Sequence, residues 1–255
     1  MGARLGQHFL FDPSILGRIA DAAAIRPEET VLEIGPGKGT LTAQLAARAA
    51  AVVAIEADGR LAAALRERAL PRVEVVHGDA LRVQWPVAHR VCGNIPYRIT
   101  SPLIERALTP PRPRCVVFLV QREVADRIAA PPGSRTYGAL SAGVQLVARV
   151  ERLFGVPRGA FRPPPRVDSA VIRLTPHEPA LDSVDEALTR RVIREAFQHR
   201  RQQLRRTVAA MLALTKEEAE LILGAAGIDP SARPETLSAE RFLVLARALD
   251  GRPPA

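Results

Sequence analysis

Short apolar runs alternate with amphipathic stretches between Thr30 and Leu174, and beyond Ser183 only the amphipathic kind remains. The runs at 30–34, 51–55, 73–77, 90–93 and 114–121 have the length and turn-rich flanks of buried strands. Segments 40–49, 101–108, 122–129 and 138–148 read as helices. Segment 13–24 precedes them, with Asp12 as its cap and Pro13 at its first position. Two further strands, 152–156 and 169–174, are joined by an irregular loop rather than a helix, so they are expected to pair antiparallel. The result is a mostly parallel sheet with one reversed strand at its edge. After a linker at 176–183, helices are expected at 183–198, 203–213, 216–226 and 239–249. Thr215 and Ser238 stand as N-caps, and Gly227 closes the third of these helices. The pattern predicts an α/β sheet domain over residues 1–176 and a small all-α domain over 183–255.

The first strand runs into Gly35-Pro36-Gly37-Lys38-Gly39 and then a helix, which is the opening of a nucleotide-binding βαβ unit. The glycines permit positive φ and close approach of the backbone to a ligand. Their spacing is G-x-G-x-G rather than the dinucleotide G-x-G-x-x-G, and no G-K-[ST] closes a P-loop. A cofactor with adenosine but no pyrophosphate fits better, and S-adenosylmethionine is such a molecule. Glu33, Glu56 and Asp79 fall at successive strand tips. Glu56 is placed to accept ribose hydroxyls and Asp79 an adenine amino group. Singly, each could be a solvated carboxylate; together with the glycines they point to a site beyond the carboxyl ends of the strands. The fourth strand ends in Asn94-Ile95-Pro96-Tyr97. These residues offer a side-chain amide, a freed backbone carbonyl and an aromatic face, a set suited to a planar molecule with an exocyclic amine such as a nucleobase. A surface turn would carry the same letters, so the weight of this motif comes from the cofactor site before it.

Composition adds a partner class. The chain has 36 Lys and Arg against 27 Asp and Glu, a net charge of +9, and Lys38 and Lys216 are its only lysines. A basic excess carried by arginine suits RNA, which it binds through phosphates and by stacking. A GC-rich genome would explain arginine over lysine, but not the excess of bases over acids. Arg200, Arg201, Arg205 and Arg206 have the spacing of adjoining faces of one helix, with no acid between Gln198 and Ala213, and are the candidate phosphate contacts. Arg122, Arg127 and Arg135 would extend them. No run approaches the ~18 apolar residues of a membrane helix, and the N-terminus lacks a signal-peptide core. Cys92 and Cys115 fall on core strands without metal-ligand spacing, and the five histidines show none either. They are expected to be reduced thiols in a cytoplasmic protein without a metal.

Taken together, these segments resemble the rRNA adenine N6-dimethyltransferases of the small-subunit, kasugamycin-sensitivity type. Gly6-Gln7-His8-Phe9-Leu10, the glycine loop from Glu33 to Thr42 and Asn94–Tyr97 are similar to family motifs. So are Tyr137-Gly138-Ala139-Leu140-Ser141, the segment from Phe161 to Val171, and Arg233-Pro234-Glu235-Thr236-Leu237-Ser238. The resemblance implies a Rossmann-like S-adenosylmethionine-dependent methyltransferase sheet. It implies dimethylation of two adjacent adenosines near the 3′ end of small-subunit rRNA, within a ribosomal subunit or its precursor, by a monomer. By position, Gln7, His8 and Leu10 would close over the cofactor above Gly35 and Gly37. Glu56 would bind its ribose and Asp79 its adenine, flanked by Ala80 and Leu81. Asn94, Pro96 and Tyr97 would hold the target base, with Phe161 on its other face. Arg98 departs from the pattern, since related enzymes often carry a smaller or apolar residue there. The alternatives are a large-subunit rRNA methyltransferase, a non-catalytic assembly factor and a nicotinamide-dependent oxidoreductase.

Overall fold

The computed structural model describes residues 8–251. A two-residue strand, β1 (Phe9–Leu10), leads into helix α1 (Pro13–Ala22). Asp12 caps this helix by accepting the Ser14 and Ile15 N–H groups at 2.9 and 3.2 Å, an arrangement worth about 1 kcal/mol. Leu16, Ile19 and Ala20 bury its inner face at i, i+3, i+4 spacing. The chain continues through β2 (Thr30–Ile34), α2 (Thr40–Ala46), β3 (Ala51–Glu56), α3 (Gly59–Glu67) and β4 (Val73–His77). It then returns through β5 (Arg90–Asn94), α4 (Thr100–Ala107), β6 (Cys115–Gln121) and α5 (Arg122–Ile128). After α6 (Ala139–Gln145) come β7 (Ala148–Val156), the short β8 (Phe161–Arg162) and β9 (Ser169–Pro176). Helices α7 (Ser183–Gln198), α8 (Leu204–Leu212), α9 (Lys216–Ala225) and α10 (Ala239–Leu249) complete it. No helix of the described residues is long and apolar enough to cross a membrane.

Seven strands form one sheet in the order β4-β3-β2-β5-β6-β9-β7. β2 pairs in parallel with β3 (Val31↔Val52, Ile34↔Ile55) and with β5 (Val31↔Arg90, Glu33↔Cys92). The winding reverses at β2, with β3 and β4 laid to one side and β5 and β6 to the other. At such a reversal the loops leaving adjacent strands diverge, which opens a crevice at their carboxyl ends. β9 runs antiparallel to β6, from Val116↔Leu174 to Gln121↔Ser169. The sequence pattern puts this reversed strand at the sheet edge, but it lies one strand in, with β7 outside it. Burial explains the order. Ala170, Val171, Ile172 and Leu174 of β9 are buried, whereas β7 exposes Arg149, Arg152 and Gly155 as an edge strand can. Cys92 and Cys115 are buried and unpaired.

Two compact units are present. One holds the chain through Ala125 together with Val150–Pro176; the other holds Asp126–Arg149 and the chain from His177 onward. The boundary read from sequence, 1–176 against 183–255, therefore misplaces 126–149. Tyr137 shows why. It is fully buried, edge-on to Phe197 of α7 at 6.0 Å, and Phe197 in turn lies 5.9 Å from Phe242 of α10. In the sheet unit, Leu10, Leu16, Ile19, Leu41, Leu45 and Phe161 share a core cluster with Leu119 and Val171.

Candidate active site

The crevice between β2 and β5 is built on the glycine loop. Gly35, Gly37 and Gly39 have φ of +70°, +54° and +75°, a region that residues with a Cβ enter only at a cost. A Cβ on Gly37 would also stand 3.0 Å from the Phe9 ring. Glu56, buried at the tip of β3, holds this loop. Its Oε2 accepts the Gly37 N–H and its Oε1 the Asp58 N–H, both at 2.9 Å. Glu33, at the tip of β2, is placed differently. It is 1% exposed and its Oε2 has no hydrogen-bond partner; the nearby Thr42 hydroxyl, also buried, is likewise unpartnered. Burial, reinforced by the charge of Glu56, pushes its pKa up to about 8.

The other wall is the end of β5. The Asn94 side-chain NH2 donates to the His8 carbonyl at 2.9 Å. This fixes the amide and leaves its Oδ1 to accept, in a residue that lines the crevice. The Tyr97 hydroxyl shares a 2.7 Å hydrogen bond with Ser169 Oγ, and burial raises its pKa, which keeps the phenol neutral. The His8 ring lies over that of Tyr97, with centroids 6.0 Å apart and planes at 29°. His8 Nδ1 is 2.8 Å from the Pro163 carbonyl, which ties this residue to the 157–168 loop. Thr40 Oγ1 donates to the Leu10 carbonyl at 3.1 Å, joining β1 to the start of α2.

One cavity brings together most of the expected residues. His8, Leu10, Gly35, Gly37 and Glu56 line it together with Asn94, Pro96 and Tyr97. Gln7 lies outside the described residues. Asp79 and Ala80 follow β4 at the same end of the sheet but do not line this cavity. Asp79 Oδ1 accepts the Leu81 N–H at 2.9 Å, its Oδ2 is 3.5 Å from Arg82, and Ala80 is buried. Phe161 is not at the cavity either. It is 1% exposed, pairs with Leu10 across β1 and β8, and belongs to the core. The Pro96 carbonyl already accepts Ile99 N–H and Thr100 Oγ1 at 3.1 and 3.3 Å, which removes it as the free acceptor. Sequence reasoning missed Ser169 as the partner of Tyr97, and the His8 backbone as the partner of Asn94. The Asp168-Ser169-Ala170 signature is the only local sign of the first.

Residues 2–250 match a family model described as ribosomal RNA adenine dimethylase. The chain belongs to the ribosomal RNA adenine dimethylase family. It is 45% identical to the ribosomal RNA small subunit methyltransferase A of Gloeobacter violaceus, over 96% of this chain and 92% of that one. It is 42% identical to the Geobacter metallireducens protein of the same name, over 96% and 94%. A dimethyladenosine transferase from Plasmodium falciparum superposes with a TM-score of 0.84 at 30% identity, covering 93% and 96% of the two chains. The 23S rRNA methyltransferase ErmE does so with 0.76 at 32% identity, covering 95% and 99%. The chain is therefore an S-adenosylmethionine-dependent methyltransferase acting on rRNA adenines.

An rRNA adenine dimethylase must also grip phosphates, and here the arginine cluster differs from expectation. Arg200 and Arg201 lie in the turn after α7, and Arg205 and Arg206 on α8, so no single helix carries all four. Arg200 is engaged by Glu235 at 2.6 Å and by the Arg135 carbonyl at 2.7 Å, and Arg205 by Glu220 at 2.8 Å. The acids that neutralise them come from elsewhere in the fold. Arg201 and Arg206 are exposed and make no ion pair among the described residues. Arg122 is 3.3 Å from Asp168.

Proposed function

We propose that this dimethylase converts two adjacent adenosines near the 3′ end of small-subunit rRNA to N6,N6-dimethyladenosine during ribosome biogenesis, in the cytoplasm and on the subunit or its precursor. The observation that carries the proposal is the Asn94 amide, whose NH2 is held by the His8 carbonyl in the lining of the cavity that Tyr97 shares, which leaves its oxygen to accept. The names of the bacterial relatives support the small subunit.

The cofactor side fits S-adenosylmethionine. The glycine loop would cradle its methionine end, Glu56 has lone pairs left for ribose hydroxyls, and Glu33, neutral below about pH 8, keeps an unpartnered Oε2 in the cavity lining. When bound, S-adenosylmethionine supplies a methyl group already activated on a sulfonium. The protein's task is the acceptor, because the adenine amine lone pair is delocalised into the ring. Asn94 Oδ1 and the Ile95 carbonyl would accept its two N–H groups, favour a pyramidal nitrogen and aim its lone pair, which is catalysis by orientation and electrostatic complementarity. The base must leave its stack to enter. Tyr97, held flat by Ser169, would compensate by stacking, worth about 1–3 kcal/mol. His8 rather than the buried Phe161 would face the other side of the base.

The test is transfer of labelled methyl to small ribosomal subunits lacking the modification, with the labelled nucleosides identified. Dimethyladenosine at two adjacent 3′-terminal positions is expected. Asn94→Ala should lower turnover by about 10²-fold or more with cofactor affinity nearly intact, and Glu56→Ala should chiefly weaken cofactor binding. Normal turnover in Asn94→Ala would remove the role assigned to it. Label in large-subunit RNA instead would assign the chain to the ErmE branch.

A further inference from the structure

The ribbon formed by β1 and β8 has two faces. Leu10 and Phe161, paired across it, point into the core. Phe9 and Arg162, also paired, lie on the opposite face, and Phe11 follows two residues along on that same side. Each of these rings carries a cation. Lys38 Nζ stands 5.1 Å from the Phe9 centroid, and the Arg162 guanidinium 4.7 Å from that of Phe11. Phe11 is 43% exposed, yet its backbone is fixed: its N–H donates to the Ala160 carbonyl at 3.2 Å, and Asp12 after it caps α1. The ring is thus an exposed plane on a fixed backbone with an arginine laid over it.

The far end of this ribbon is the acceptor site, where the His8 carbonyl holds Asn94 and the His8 ring covers Tyr97. Three strand residues span about 10 Å, so an RNA strand with its target base in the cavity reaches Phe11 within one or two nucleotides. Neither strand of the ribbon carries an acid, Asp12 after Phe11 is engaged as the α1 cap, and Arg98 and Arg166, one residue from Tyr97 and four from Arg162 in sequence, are exposed. We propose that Phe11 and Arg162 form a stacking subsite for a nucleotide neighbouring the target adenosine in single-stranded rRNA, the base lying on the Phe11 ring and Arg162 taking a phosphate. An aromatic plane accepts any base and a guanidinium binds phosphate bidentately, the combination by which single strands are tracked. The inference rests on the rRNA reading above.

The experiment compares wild type, Phe11→Ala, Phe11→Trp and Arg162→Ala in methyl transfer to undermethylated small subunits, and in binding to a protein-free fragment of the rRNA 3′ end. Phe11→Ala should raise KM for subunits by about 5- to 100-fold, with kcat and S-adenosylmethionine affinity essentially unchanged and Phe11→Trp restoring KM. Arg162→Ala should reduce the slope of log affinity for the fragment against log salt by about 0.7. An unchanged KM in Phe11→Ala overturns the subsite while leaving the enzyme's assignment intact. A parallel loss of S-adenosylmethionine affinity also overturns it, because Phe11 would then only support β1. So does an effect on subunits with none on the fragment, which would make the pair a contact for a ribosomal protein. If the wild type transfers no methyl to subunits, the substrate assignment fails and the subsite falls with it.

Discussion

Replacing Glu33 with glutamine should change the pH dependence of stability. Glu33 is buried with an unpartnered oxygen, and its pKa is raised from 4.5 to about 8. Above about pH 4.5 the unfolded chain releases this proton while the folded chain keeps it. The unfolded state then binds fewer protons, so stability falls as pH rises, until the folded carboxyl also ionises near pH 8. Each pH unit in that window corresponds to about 1.4 kcal/mol, and 8 − 4.5 gives a total of roughly 5 kcal/mol. The glutamine side chain has no proton to lose. Urea denaturation of both proteins at about pH 5.5, 6.5 and 7.5 should show the difference moving in favour of glutamine by about 1.4 kcal/mol per unit, with other titrations cancelling between them. A difference that stays constant to within about 0.5 kcal/mol would refute the argument, because Glu33 would then be paired or solvated in the folded protein.

Other sites give independent tests. Glu29, fully buried, takes Arg90 at 2.7 and 3.1 Å and Arg114 at 3.2 Å. Arg90→Met should therefore cost about 3 kcal/mol in urea denaturation, and a loss under about 1 kcal/mol would show that Arg114 suffices. Gly37→Ala combines a φ of +54° with a Cβ 3.0 Å from Phe9. Titration calorimetry should show S-adenosylmethionine binding weakened about tenfold, and unchanged affinity would mean the loop yields easily. Ser169→Ala frees the Tyr97 hydroxyl and should lower kcat/KM for RNA by about 2- to 10-fold without altering cofactor affinity. Tyr97→Phe should not add to it, and full additivity would count against a shared hydrogen bond.

The parts of the site that were legible in the sequence are those whose chemistry is local. A strand buried on both faces leaves a continuous apolar run, and a glycine turn directly after it marks the loop that Glu56 holds. Asn94 and Tyr97 fall within four residues of each other, at a strand end the pattern shows. What stayed hidden depends on partners distant in sequence. The β1–β8 pairing is only two residues long, too short to leave a period-two trace, yet it decides that Phe161 faces the core. Arg200 and Arg205 are matched to Glu235 and Glu220, acids 35 and 15 positions away, and helical spacing reports only on neighbours along one helix. The segment 126–149 shows an apolar face, but nothing in that face names Phe197 as what Tyr137 packs against. Asp79 sits at the expected strand tip and spends an oxygen on its own turn.

The clamp on Asn94 is made by a backbone carbonyl. Position 8 can therefore drift among side chains without loosening that hydrogen bond, whereas the number of residues between it and the Asp12 cap cannot drift. One residue inserted or deleted in this stretch would turn Leu10 outward and bring its neighbour into the core, because strand faces alternate residue by residue. For anyone redesigning the N-terminal segment of this enzyme, its length is a constraint as strict as any of its side chains.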